Sequence, residues 1–165
     1  MAKESAIKLP ASKNSNERKG VKLRISRMEI INHNRIKDLN VEVRKHAVIV
    51  GANDVGKSSI LRMLNLTLGA SIASLYRELS PNDIRNLDNP LIVNVWWIDF
   101  TEKNRRPFPD EISIAEDRET EYLWVQMIVE TSPEDEEAIT VRRWFPENER
   151  LDRKSTRLNS SHEPL

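Results

Sequence analysis

The chain has no cysteine. That excludes disulfides and thiolate metal sites, and it fits a reducing cytoplasm. Long apolar runs are also missing from the 165 residues; a membrane-spanning helix needs about eighteen such residues or more. The N-terminus lacks the apolar core of a secretory signal. Net charge is absent as well, with 26 Lys and Arg against 26 Asp and Glu. The balance hides an asymmetry. Basic residues, among them Arg24, Arg27, Arg35, Lys37, Arg44 and Lys45, outnumber acids in the first part of the chain. The stretch from Asp110 to Glu149 is acidic and densest at Glu134 to Glu137. A basic N-terminal part suits nucleic acid; a solvated tail with polar strand faces explains it equally well.

With 38% apolar and 32% charged residues, the composition is that of one globular domain. Residues 1–20 are polar and aperiodic and read as a disordered leader. Leu23, Ile25, Met28 and Ile30 suggest a strand with a bulge after Ile25. Leu39, Val41 and Val43 alternate with polar residues, as a half-buried strand does. The turn over 32–37 makes the two an antiparallel hairpin. Ala47 to Val50 is short and continuously apolar, the pattern of a strand buried on both faces. From Lys57 the period becomes helical. Ile60, Leu61, Leu64 and Leu68 share one face, and Gly69 offers a stop. A second helical stretch covers 72–79, and Ser80-Pro81-Asn82-Asp83 reads as a helix start. Three further strands are expected over 91–100, 122–131 and 139–145, the last two joined as a hairpin through the acidic stretch.

Between the apolar run and the helix stands Gly51-Ala52-Asn53-Asp54-Val55-Gly56-Lys57-Ser58, which fits the phosphate-binding loop G-x-x-x-x-G-K-[ST] without a mismatch. Gly51 and Gly56 permit backbone conformations and close approaches that a side chain blocks. The amides of Asn53, Asp54, Val55 and Gly56 then form an anion nest, and the helix starting near Lys57 adds free N–H groups and its positive dipole end. Lys57 is expected to reach the β- and γ-phosphates and Ser58 to hold Mg²⁺. Ser59 is a candidate for another phosphate oxygen. The ligands expected are ATP and Mg²⁺.

The segment from Leu23 to Leu68 resembles the N-terminal part of ATP-dependent nucleases of the OLD family, and the wider RecF/SMC-like group of ABC-type ATPase heads. The stretch Ile30 to Leu39 is similar to the family hairpin I-x-N-[FYH]-R-x-I-K-x-L, with Asn34 where the family has Arg. Asn53 within the loop is typical of the family. The resemblance implies an α/β P-loop NTPase, the N-terminal lobe of an ABC-type head with an antiparallel β layer. It also implies a parent that dimerises through its heads and acts on DNA. A Walker B Asp-Glu, a Ser-Gly-rich signature and a Toprim nuclease domain would lie downstream.

The string from Asp152 to His162 resembles the in-frame translation of a sequencing-library adapter. Residues 152–165 are therefore read as a non-native tail, and 21–151 as a partial ATPase domain from an open reading frame cut after Leu151. In such a fragment Val48 and Val50 lack neighbours, and the Ile60–Leu64–Leu68 face is only partly covered.

Rival readings stay open on the residues alone. Val93 to Asp99 has the look of a Walker B strand, with Asp99 as a Mg²⁺ ligand of a compact GTPase-like protein. Phe100 in place of the catalytic Glu, and the lack of D-x-x-G and N-K-x-D motifs, weigh against it. A non-catalytic nucleotide-binding module and a DNA-binding fragment are the others. His33 and His46 lack metal-ligand spacing and read as hairpin or strand-end residues. Trp96, Trp97, Trp124 and Trp144 fall in expected strands, where packing is the default. Arg142 and Arg143 suit either DNA phosphate or an exposed strand face.

Overall fold

The structure, a computed structural model, describes residues 23–132, 135 and 138–147. The expected leader 1–20 and tail 152–165 lie outside the described residues. In chain order the elements are β1 (Arg24–His33), β2 (Lys37–Glu42), α1 (Lys57–Gly69), α2 (Ile72–Glu78), a 3₁₀ turn (Pro81–Asp83), β3 (Leu91–Ile98), α3 (Glu102–Arg105), β4 (Ile112–Ile114), β5 (Glu121–Thr131) and β6 (Ile139–Trp144).

The strands form one sheet in the order β2-β1-β3-β5, and every pairing is antiparallel. β3 occupies one edge of β5. On the other edge β4 pairs with residues 121–123 and β6 with 126–131, end to end. Ser26 is the extra residue of the expected bulge, between the pairs Ile25–Trp97 and Arg27–Trp96. It is buried, and its hydroxyl donates to the Trp96 carbonyl at 3.2 Å. The bulge resets the alternation so that Ile25 and Met28 both join the main core.

That core fills the space between one sheet face and the helices. Met28, Ile30, Val93, Val95, Met127, Val129 and Val141 meet Met63 and Leu66 of α1, Leu75 of α2, and Leu79 and Ile84 beyond it. The opposite face carries a cross-strand polar ladder. Glu29 accepts from Asn40 (3.2 Å) and Asn94 (2.9 Å). The Asn94 oxygen accepts from the Trp124 indole (3.0 Å) and Gln126 (2.9 Å), and Gln126 accepts from the Trp144 indole (2.7 Å). Trp96 stacks on Trp124 at 5.5 Å, with the Arg27 guanidinium 4.9 Å over its ring. The tryptophans thus pack within the sheet.

Two expectations need correction. Ala47 to Val50 forms no strand, and Val48 and Val50 are 84% and 86% exposed. A strand buried on both faces needs neighbours to pair its N–H and C=O groups, and no described strand lies beside it. The buried line of α1 is Met63, Leu66 and Thr67. Ile60, Leu64 and Leu68 flank the core, and Leu61 is 61% exposed. The helix is apolar over most of its circumference, so its sequence marks no single face. Two short elements were not expected, α3 and β4; three or four residues carry too little period to read.

Candidate functional site

The β1–β2 corner forms the floor of the site. His33 ends β1 and is buried. Its Nδ1 accepts from the amides of Arg35 (3.0 Å) and Ile36 (3.2 Å), which curls the chain at once into β2. The corner is stitched to the segment after α2: Asn34 N–H donates to Asp83 O at 2.8 Å, Arg85 N–H to Asn32 O at 2.9 Å, and the Asn34 side chain to Asn82 O at 2.9 Å.

Gly56 sits on this floor. It is buried, it caps α1, and its φ is 92°. A Cβ there would lie 3.5 Å from Ile36 Cγ1 and 3.7 Å from the Arg35 carbonyl, in a backbone conformation that disfavours any side chain. A Cβ on Gly51 would come within 3.0 Å of the Val55 side chain. The loop between the glycines turns at Asn53 and Asp54, with Asp54 at φ 65°. Asn53, Asp54 and Val55 are exposed.

Lys57 folds back across the loop. Its ammonium donates to the Gly51 carbonyl at 2.8 Å and to the Ala52 carbonyl. A cation fastened to two carbonyls of its own loop is held where an anionic ligand would replace those acceptors. The N-terminus of α1 is open. No side chain caps it, no acid stands in its first turn, and the first amide to bond within the helix is Ile60 N–H, to Gly56 O at 3.1 Å. The free amides and positive dipole end favour an anion. Gly51, Asn53, Asp54, Val55, Gly56, Lys57, Ser58 and Ser59 therefore lie together in one curl at the open start of α1, with Ser58 exposed.

A polar cleft of about 350 Å³ runs from this helix start between the 33–35 corner and the segment 78–83, with Ser58, Ser59 and Arg62 along one wall. Arg62 donates to both Asp83 oxygens (2.6 and 3.3 Å) and to the Glu78 carbonyl. Asp83 also closes a capping box on the Ser80 amide at 3.1 Å. Burial pushes the His33 pKa down; Asp83 pulls it up, and Arg62 and Arg35 add to the lowering. His33 is the strand-end residue of the hairpin that its place in the sequence implied, and it also lines this cleft.

The other end of α1 is fixed from afar. It has no basic residue in its last turn. Arg143 of β6 supplies the cation, donating to Ala70 O at 2.6 Å and to Leu66 O and Thr67 O at 3.4 Å. Arg142 lies 3.7 Å over the Trp144 ring.

Asp99 is not among the residues brought together. Its carboxylate accepts from Arg24 Nε at 2.6 Å. Arg24 begins β1, whereas the loop packs just past its end at His33. Ten strand residues separate the two by roughly 30 Å. Among the described residues no cluster of three His, Cys, Asp or Glu forms a metal site, and no helix is long and apolar enough to cross a membrane.

No curated protein matches the chain. Residues 23–163 match the family described as AAA ATPase domain, well over half of the sequence and including the loop, the helix it opens and the whole described sheet. The chain belongs to the AAA ATPase domain family, which implies nucleotide binding with ATP and, as a rule, Mg²⁺.

Proposed function

We propose that residues 51–59 bind the triphosphate of ATP, that Ser58 holds Mg²⁺, and that the chain is the N-terminal lobe of an ABC-type ATPase head in a longer protein. The observation that carries the reading is the curl itself: left-handed Gly56, the uncapped start of α1, and the Lys57 ammonium held over the loop carbonyls. Bound Mg-ATP supplies a phosphoanhydride whose cleavage is the chemistry of such heads. This chain's part is to bind and orient it. The loop amides and the α1 start hold the phosphates, Lys57 leaves its two carbonyls for the β- and γ-oxygens, and the Ser58 hydroxyl faces the metal.

The apolar circumference of α1, with Leu61 exposed, and the bare Val48 and Val50 support a second layer on the far side of this helix. In the OLD and RecF/SMC-like proteins that the sequence resembles, such a layer carries the residues for hydrolysis. On that resemblance the intact parent dimerises through its heads and acts on DNA, as an ATP-dependent endonuclease in repair or phage defence.

Isothermal titration with Mg-ATP tests the core of the proposal. Lys57→Ala is expected to weaken binding by at least ten-fold, because it removes the one cation of the cradle, while leaving the unfolding midpoint unchanged. Equal affinity in the two proteins rejects the site. A compact GTPase-like arrangement predicts instead that Asp99→Asn abolishes Mg-nucleotide binding; the engagement of Asp99 by Arg24 at the far end of the sheet speaks against it.

A further inference from the structure

The first buried residue within α1 is Met63; residues 57–62 before it are exposed or half-buried. Apolar packing is not directional, so Met63 and Leu66 against the sheet do not by themselves aim the start of the helix. A polar contact does. Among the described residues Arg62 makes the one ion pair of α1. Both of its Nη atoms donate to the Asp83 carboxylate, at 2.6 and 3.3 Å. A planar fork against a carboxylate sets direction as well as distance. Arg62 stands roughly 9 Å along the axis from Gly56, so the helix start is fixed at two separate points.

Asp83 is itself held on several sides. Its carboxylate also accepts from the Ser80 amide at 3.1 Å, which keeps the side chain over its own 3₁₀ turn. Its amide donates to the Ser80 carbonyl at 3.0 Å, and its carbonyl accepts from the Asn34 amide at 2.8 Å. The next residue, Ile84, forms a β-bridge with His33. One residue thus grips α1 with its side chain and the hairpin corner with its main chain. The contacts close a ring. Gly56 sits on Arg35 and Ile36, α1 runs from Gly56 to Arg62, Arg62 holds Asp83, and Asp83 holds Asn34. Asn34, Arg35, Ser58, Ser59, Arg62 and Asp83 all line the polar cleft.

We infer that Arg62 and Asp83 are positioning residues for the phosphate loop: the pair sets the direction in which the open start of α1 presents its amides. The inference rests on the nucleotide reading of residues 51–59 and goes beyond it, because neither residue belongs to the loop. The pull of free N–H groups and of a helix dipole on an anion is confined to the first turn, so it depends on where that turn points. A small misplacement of binding groups is costly.

In Asp83→Asn the side-chain oxygen still accepts from the Ser80 amide, while the charge and one acceptor of the fork are lost. Arg62→Met keeps the aliphatic stem and removes the fork. Arg62→Lys is the milder change, which keeps the charge. Arg143→Met is the control, since Arg143 holds the opposite end of the same helix. Mg-ATP is titrated into the full chain carrying each substitution, and into the double variant Asp83→Asn with Arg62→Met.

Asp83→Asn and Arg62→Met are each expected to weaken binding about five-fold. The double variant should lose no more than either single one, because both remove the same contact. Arg62→Lys should recover part of the loss, and Arg143→Met should bind as wild type does. Wild-type affinity in the two single variants overturns the inference. So do fully additive losses, which would mean that the two side chains act separately. An equal loss in Arg143→Met overturns it too, because general loosening of the helix would then account for the effect.

The ligand-free chain gives a readout independent of ATP. The amide resonances of Gly56 and Lys57 are expected to shift in Asp83→Asn and in Arg62→Met and to stay in place in Arg143→Met. Unmoved resonances in the first two variants overturn the inference. If wild type binds no Mg-ATP while these resonances move, the nucleotide reading fails and the positioning of the helix start stands.

Discussion

At the scale of single residues, the site depends on groups whose ordinary preferences are overridden by their neighbours. Gly56 occupies a left-handed conformation over the Ile36 side chain, and His33 is a buried neutral imidazole beneath it. The second has a consequence for pH. The His33 pKa in the folded chain is lowered from 6.5, mainly by burial, with Arg62 and Arg35 acting the same way against Asp83. The unfolded chain then takes up a proton at a pH where the folded chain does not. Stability from this group is complete above the unfolded value and is lost as pH falls from there through the folded value. The expected outcome is a drop in the urea midpoint between about pH 7 and pH 5 that is smaller in His33→Asn. Carboxylates titrating in the same range affect both proteins alike, so the difference isolates His33. Parallel profiles would mean that the imidazole gains its proton equally well in both states.

At the scale of elements, α1 is held at both ends by chain far from it in sequence: the 33–36 corner under its start, and Arg143 on its last carbonyls. Arg143→Met keeps the aliphatic bulk but removes the cation from the negative dipole end and leaves the Ala70 carbonyl without its donor. The expected cost is about 1–2 kcal/mol by urea denaturation. Arg143→Lys should recover part of it, since the charge remains and the fork does not. No change in either variant would make the contact incidental. The strands of the sheet were legible in the sequence because alternation is a local signal, and even the Ser26 bulge showed as a slip in the pattern. The loop was legible because its glycines, lysine and serine have fixed spacing. The role of Arg143 was not, because its acceptors lie 73 to 77 residues away and two adjacent arginines look alike in a sequence. The orientation of α1 was hidden for the opposite reason: apolar residues surround it, and only the sheet decides that Met63 and Leu66 go inside and Leu61 outside.

At the scale of the whole molecule, the described fold has one layer of helices on one face of a sheet, and the segment leading into the loop before α1 has no strand beside it among the described residues. Val48 and Val50 carry the composition of a doubly buried strand yet meet solvent. Such a surface favours association with another copy or another protein layer. The double substitution Val48→Ser and Val50→Ser is therefore expected to reduce self-association in sedimentation and light scattering. It should change the unfolding free energy by no more than about 0.5 kcal/mol, as for an exposed site. Ile30→Ala, at a fully buried position in the main core, is the contrast and should cost about 2–5 kcal/mol. Placed in a longer protein that supplies the second layer, the same pair of serines would interrupt a buried strand beside the loop and would cost a comparable amount. The two contexts thus give opposite results for one substitution. A large loss of stability in the present chain would mean that residues 47–50 already pack against something within it.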